Sequence, residues 1–340
     1  MSGDRSWLGL FYPAQMGSML AVTVVVPATD APPTLARCIA AIRAAAEPPE
    51  EITIVERPRS AGPAEARNLG ASGATHDVVV FIDADVEVAP DAFRRIRRAF
   101  ATDEKLAALF GSYDDDPDRH GLVSDFRNLL HHYVHQTGAG PATTFWAGLG
   151  AVRREDFFSV GGFDDRRFPD ASVEDIDLGM RLSSKGKSIL LDPLLQGKHL
   201  KRWSLNTMIR TDLVRRGIPW SRLLLENDAP LVFLNAGSSA SLNLSWRNRA
   251  SAAASLTLLV AAVVRRPNLA GASCALLLGL NRRFYLLLFR RRGLRQALAG
   301  VPLHALHYIV SVAAVPIAVF KHISARARGD VGAPSTRQRP

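Results

Sequence analysis

Three short apolar runs rich in β-branched residues constrain this 340-residue chain more than any other feature. AVTVVV (21–26), stopped by Pro27, is the pattern of a strand buried on both faces, and EITIVE (51–56) and DVVVFI (77–82) follow it. Between them, residues 34–46 place Leu35, Ile39 and Ile42 on one helical stripe, and a second helix is expected around 64–72. Strand, helix, strand, helix, strand at this spacing implies right-handed parallel crossovers, and so an α/β doubly wound, mostly parallel sheet.

Ligands of such sheets collect outside the C-terminal ends of the strands. Those ends are 27–30, 56–59 and 83–85, which brings Pro27, Glu56, Asp83 and Asp85 forward as candidates. Farther on, the pattern predicts a basic helix at 93–100, a strand in KLAALFGS (105–112), a solvated acidic loop DDDPD (114–118) and a helix at 122–135. A glycine-rich stretch (137–155) is irregular. A helix with an acidic first turn is expected at 172–185, where the helix dipole favours carboxylates. A strand at 188–191 and an amphipathic helical segment at 203–227 complete this part.

The sharpest chemical signal is Asp83-Ala84-Asp85 directly after the third run. Two carboxylates one residue apart at a strand end can present oxygens to a divalent cation, or to a cation and a ribose, although a lone pair of this kind also reads as a solvated turn. Four further features accompany it: the opening VTVVVPATDAPPTLARCIAAI, Arg67 and Asn68 in GPAEARNLG, Glu174-Asp175 in VEDIDLGMRL after GGFDD, and His199 in GKHLKRW.

Taken together, these motifs resemble glycosyltransferase family 2, the inverting enzymes with the GT-A fold, over roughly residues 20–225. The resemblance implies a nucleotide-sugar donor and Mn²⁺ or Mg²⁺. It implies that Asp83 touches the donor ribose, that Asp85 binds the metal bridging the diphosphate, and that Arg67 lies near Asp83 and the donor. It further implies that Asp175 is the general base for an acceptor hydroxyl, with Glu174 supporting it, and that His199 is the C-terminal metal histidine. A cation suits this chemistry because the departing diphosphate gains negative charge. Lys201 and Arg202 are placed to hold phosphate charge. Trp203 either stacks on a sugar at the acceptor site or closes a helix start through a cation–π contact, and Trp146, with Gly148 and Gly150, lines a pocket or a tight turn.

Two departures stand out. Many relatives carry Asp-Asp-Gly-Ser after the second strand, whereas this chain has Glu56-Arg57-Pro58-Arg59, with Glu56 as the substitute. The Gln-x-x-Arg-Trp of processive members has His199 in place of Gln, which favours transfer of a single sugar. His131 and His135 stand at metal-pair spacing, but no third ligand accompanies them, and a packed or solvated helix face is the simpler reading.

The net charge of +10 is unevenly placed. Residues 1–244 carry −4, with 27 basic and 31 acidic residues, whereas 245–340 carry +14, with 15 basic and one acidic, Asp330. The basic residues alternate with apolar runs at 250–264, 269–280 and 301–320, the pattern of an anionic membrane surface and not of a nucleic-acid groove. The segment 301–320 is the best single span, the first two runs suit a tight hairpin around Arg265-Arg266-Pro267, and 281–293 suits a helix in the headgroup layer.

The expected domains are an N-terminal extension (1–19), a GT-A domain (20–235), membrane-associated helices (245–322) and a disordered basic tail (323–340). No cleaved signal is expected, and Met16 or Met19 could serve as initiator. The two cysteines, Cys38 and Cys274, form no readable framework and suit a reducing compartment. The expectation is a glycosyltransferase at the inner (plasma) membrane, catalytic domain cytoplasmic, acting on a lipid-linked or cell-envelope glycan acceptor, with no nucleic-acid partner. A polyprenyl-phosphate monosaccharide synthase and a catalytically silent nucleotide-binding scaffold are the alternatives.

Overall fold

The computed structural model describes residues 20–226 and 245–327. The expected extension 1–19 with its candidate initiators, the boundary at 235 and the tail beyond 327 lie outside the described residues.

The first half folds as the apolar runs require. Strands β1 (Val22–Pro27), β2 (Glu51–Val55) and β3 (Val78–Ile82) alternate with helices α1 (Leu35–Ala44) and α2 (Pro63–Gly73). Strand β1 pairs in parallel with both β2 and β3. All five residues of β3 are buried, so the strand is uniformly apolar instead of alternating. After β3 come a three-residue strand β4 (Val86–Val88), helix α3 (Ala92–Thr102), strand β5 (Leu106–Tyr113) and helix α4 (Leu122–Thr137).

The glycine-rich stretch contains two strands that its composition hides, β6 (Gly140–Ala142) and β7 (Leu149–Arg153), followed by a short helix α5 (Arg154–Ser159). Strand β7 runs antiparallel between β3 and β5 in the centre of the sheet. Its Gly150 is sterically required, because a Cβ there would stand 2.4 Å from the Trp146 carbonyl oxygen and 2.5 Å from the Phe145 ring. Helix α6 (Glu174–Ser184) leads to β8 (Ser188–His199), which extends well beyond the four residues expected. Pro193 interrupts the apolar pattern, and the ladder with β5 shifts register between Phe110 and Ser112, which carries β8 past the interruption. The sheet order is β2-β1-β3-β7-β5-β8-β4, with β6 on β8.

The segment expected as one amphipathic helix is α7 (Leu205–Arg210), a π-helical turn (Thr211–Gly217) and α8 (Ile218–Glu226). Beyond it, α9 (Trp246–Val263) and α10 (Pro267–Leu280) form the expected hairpin, turning at Arg265 in a left-handed conformation (φ 53°). Their facing surfaces are small, with Ser251, Ala254 and Ser255 buried, and Asn281 Nδ2 donates to Ser251 Oγ at 2.9 Å. The headgroup helix and the span expected separately are one long helix, α11 (Arg282–Ala327), broken at Gly293 (φ 78°) and continuing five residues past 322.

One face of α11 is covered by the sheet domain along much of its length. Phe284 and Leu288 pack with Phe126 of α4, Gln296 Nε2 donates to the Leu122 carbonyl at 2.9 Å, and Ala314 and Ala318 pack on Ile218. The acidic loop takes part, which corrects the expectation that it is merely solvated: Asp115 pairs with Arg291, Asp116 with Arg292 and Lys198, and Asp118 with Arg37.

At the centre of this junction, Asp212 in the π-helical turn accepts from Arg127 Nη2 at 2.7 Å and from His307 Nδ1 at 2.8 Å. Arg127 and Asp212 are 8% and 3% exposed, so removing Asp212 leaves the buried Arg127 charge unpaired. Asp212→Ala is therefore expected to cost about 3–5 kcal/mol in a thermal or denaturant melt, far more than Asp118→Ala at the exposed Arg37 pair.

Candidate active site

The site assembles where β3, α2, α6 and β8 converge. At the end of β3, the Asp83 N–H donates to the Gly148 carbonyl at 3.1 Å and the Val86 N–H to the Asp83 carbonyl at 2.9 Å, a turn that projects both aspartates. The antiparallel register of β4 on β8 sets Val86 opposite His199, and the Leu200 N–H donates to the Asp85 carbonyl at 2.8 Å. His199 Nε2 consequently lies 3.5 Å from Asp85 Oδ2.

His199 is fixed from two further sides. Its ring stacks on Tyr113, with centroids 4.1 Å apart at 12°, and its Nδ1 lies 2.6 Å from Asn128 Oδ1. An Nδ1–H donated to that oxygen leaves the Nε2 lone pair facing Asp85. With a proton on Nε2 the ring instead donates to Asp85. Burial works against ionisation of Asp85, but that contact, with the charge of Lys201, outweighs it and holds the carboxyl below its ordinary value. Among the described residues, no group of three or more His, Cys, Asp or Glu is arranged around a metal. A carboxylate and an imidazole lone pair facing one another nevertheless fit a divalent cation that takes its remaining ligands from phosphate oxygens and water.

Arg67 joins the separate sequence motifs. Pro63 starts α2, where its missing N–H costs nothing, and Gly62 before it admits the Pro169 carbonyl, which a Cβ would meet at 1.8 Å. From this helix Arg67 Nη2 donates to Asp83 Oδ1 at 2.7 Å and Nη1 to Glu174 Oε1 at 2.9 Å. Its side chain is 6% exposed and sits over the Phe163 ring at 5.5 Å. Burial would discharge the guanidinium, but the two carboxylates keep it firmly charged. Asn68, the next residue, clips α2 to the GGFDD loop: its Nδ2 donates to the Phe163 carbonyl at 2.9 Å and its Oδ1 accepts from the Phe163 N–H at 2.9 Å.

Glu174 and Asp175 stand in the first turn of α6. Glu174 Oε2 accepts from the Ser172 N–H at 2.8 Å, and Asp175 Oδ2 from the Ala147 N–H at 3.2 Å. Burial, then the neighbouring Glu174 charge, raise the Asp175 carboxyl to about 7. An acid so raised is set to exchange a proton near neutrality.

The aromatic candidates divide. Trp146 is half-buried beside Asp175's partner Ala147, with ring contacts to Tyr113, His131 and His135 at 4.8–5.2 Å. A Cβ at Gly148 would stand 2.4 Å from its ring, so the glycine serves this contact. Trp203 is 8% exposed and packs among Phe126, Met208 and Phe284, with Lys201 Nζ 4.8 Å and the Arg127 guanidinium 5.5 Å from its ring. Its stacking faces are thus occupied by cations, the cation–π reading of the two the sequence allowed. His131 and His135 pack against one another under Trp146, and burial keeps them neutral. Among the described residues, no hydrogen bond or ion pair joins Pro27, Glu56 or Arg202 to Arg67, whose partners are Asp83 and Glu174: Pro27 ends β1, and the other two are exposed.

Residues 41–159 match the sequence family described as glycosyl transferase family 2. The match covers about a third of the chain. No curated protein sequence matches the chain significantly. Among solved structures, the chain is similar to the mannosyltransferase PcManGT from Pyrobaculum calidifontis in complex with GDP-Man and Mn²⁺, at 19% identity and TM-score 0.55, covering 87% of this chain and 86% of that one. It also matches GalNAc-T7 with UDP, GalNAc and Mn²⁺ at 16% identity and TM-score 0.45 over 62% of this chain; it spans about half (48%) of that protein's length. The likeness to PcManGT establishes a GT-A fold.

Two residues of the candidate site carry no signal in the sequence. Asn128, buried on α4, looks like any polar residue of an amphipathic helix, yet it holds His199. Arg216, one of several arginines in its segment, comes within electrostatic reach of Asp175. It belongs to the π-helical turn, a distortion frequent at functional sites.

The raised Asp175 carboxyl has a consequence for stability. Its folded value near 7 lies above the ordinary 3.8, so its contribution is fully present below about pH 4 and is lost as pH rises to 7. Asp175→Asn, which stays neutral and can still accept from Ala147, is expected to melt above wild type at pH 8 and to lose that advantage at pH 4.

Proposed function

We propose that this glycosyltransferase is a metal-dependent inverting enzyme that moves a sugar from a nucleotide-sugar donor to a hydroxyl of a lipid-linked or membrane-proximal acceptor. The observation that carries the reading is the Arg67 bridge, which sets the donor-side Asp83 and the acceptor-side Glu174 on one guanidinium. The solved structure of similar fold, PcManGT, is described in complex with GDP-Man and Mn²⁺, which supports the same ligand class here.

In this mechanism Asp83 binds the donor ribose, and Asp85 with His199 would hold Mn²⁺ or Mg²⁺ at the diphosphate. Imidazole favours Mn²⁺ over the harder Mg²⁺. When bound, the cation offsets the charge gained by the leaving diphosphate. Arg67 keeps Asp83 and Glu174 fixed. Burial, and then the Glu174 charge, keep Asp175 basic enough to take the proton of an acceptor hydroxyl, whose oxygen attacks the anomeric carbon from the face opposite the diphosphate. A phosphate acceptor would need no base, so the elevated Asp175 favours the hydroxyl over the polyprenyl-phosphate alternative.

The membrane is the partner of the C-terminal helices in this reading. Helix α11 is long and apolar enough to cross a bilayer, and only 28% of its most apolar window is buried. Because its other face is held by the sheet domain, the outer surface carrying Leu294, Leu298 and Phe320 is the one that meets lipid, with Arg282, Arg283 and Arg290 at anionic headgroups. The catalytic domain then sits on the cytoplasmic face of the inner membrane.

Binding and turnover separate the roles. Nucleoside diphosphate with Mn²⁺ is expected to raise the Tm of wild type and of Asp175→Asn, but not of Asp85→Ala. Asp175→Asn is expected to lower kcat by roughly 10²–10⁴, and wild-type kcat/KM to fall as pH drops below about 7. A Tm shift retained by Asp85→Ala would refute the assignment of the metal site.

A further inference from the structure

A second basic site lies on the far side of Glu174 from the donor end. The loop at 167–172, the π-helical turn, α8 and the end of α11 enclose a cavity of about 460 Å³. Five cations line it: Arg167, Arg210, Arg215, Arg222 and Lys321. Two carboxylates accompany them, and one of these, Glu226, already pairs with Arg167 and Arg222. Among the described residues, Arg210, Arg215 and Lys321 have no carboxylate at ion-pair distance, and the buried Nε of Arg222 has no hydrogen-bond partner. The groove thus holds a surplus of cationic donors suited to phosphate oxygens.

Its walls are not uniformly polar. Phe168, Val214 and Ile218 also line it, and Val214 is 52% exposed. At the rim, Lys321 lies between Phe320 and Ile323, which are 72% and 60% exposed on the face assigned to lipid. A ligand filling the groove would therefore meet cations at one end and an apolar surface at the other. The groove is also tied to the reaction centre. Ser172, in its wall, donates its N–H to Glu174 and its Oγ to the Arg215 carbonyl at 3.1 Å.

We propose that this groove binds the phosphate or diphosphate of an apolar-chain acceptor, so that the sugar hydroxyl carried by that headgroup reaches Asp175. The proposal rests on the transferase reading above and adds the acceptor's anionic headgroup to it. Phosphate of another origin, such as free phosphate or the donor diphosphate, shares the chemistry, and the test separates these sources.

The full chain in detergent micelles is titrated with farnesyl diphosphate, farnesol, inorganic pyrophosphate, and UDP or GDP with Mn²⁺, and compared with Arg210→Gln/Arg215→Gln/Lys321→Gln. The three side chains are exposed, so the variant should fold. Wild type is expected to bind farnesyl diphosphate at least about tenfold more tightly than farnesol or pyrophosphate, and the variant to lose about tenfold or more in farnesyl diphosphate affinity with nucleotide affinity unchanged. Unchanged farnesyl diphosphate binding in the variant would overturn the site. Equal binding of pyrophosphate would overturn the lipid source, equal binding of farnesol would overturn the role of charge, and a parallel loss of nucleotide affinity would assign the groove to the donor. Absence of nucleotide binding in wild type would instead count against the transferase mechanism, which keeps the two failures apart.

Discussion

The site depends on one buried guanidinium. Arg67 is taken almost completely out of water and retains its charge because Asp83 and Glu174 accept from its two terminal nitrogens. A lone charge in that position would be prohibitively costly. Once paired, it fixes the distance between the end of β3, which carries Asp83, and the start of α6, which carries Glu174 and Asp175. Asn68 adds a neutral clamp on the same helix, so two adjacent residues hold α2 to three other segments of the chain.

The parallel core was legible because burial on both faces leaves an unmistakable pattern in β1 and β3. The motif residues were legible for a different reason: carboxylates, arginine and histidine at strand ends and helix starts have few structural uses. Residues 83, 85, 67, 174 and 199 do converge. Strand β7 was hidden because close contact with Phe145 and Trp146 demands glycine where an apolar residue would have betrayed a strand. The length of β8 was hidden by Pro193, and with it the register that sets His199 beside Asp85. Trp203 shows the limit of residue type as a guide, since a tryptophan next to two cations fits a sugar platform or a packed cation–π cluster equally well until its neighbours are known.

The uneven charge takes on structural meaning in the same way. Part of the basic excess of the C-terminal segment is neutralised within the protein, where Arg291 and Arg292 meet the acidic loop. The remaining arginines flank exposed apolar surface. The long helix thus joins the sheet domain to an exposed apolar layer, and the basic groove opens where the two meet.

The central claim is direct displacement assisted by Asp175, and the anomeric configuration of the first-formed product tests it most directly. The account predicts that proton NMR of product formed from a donor of defined configuration shows the opposite anomer. Product that keeps the donor's configuration would contradict it.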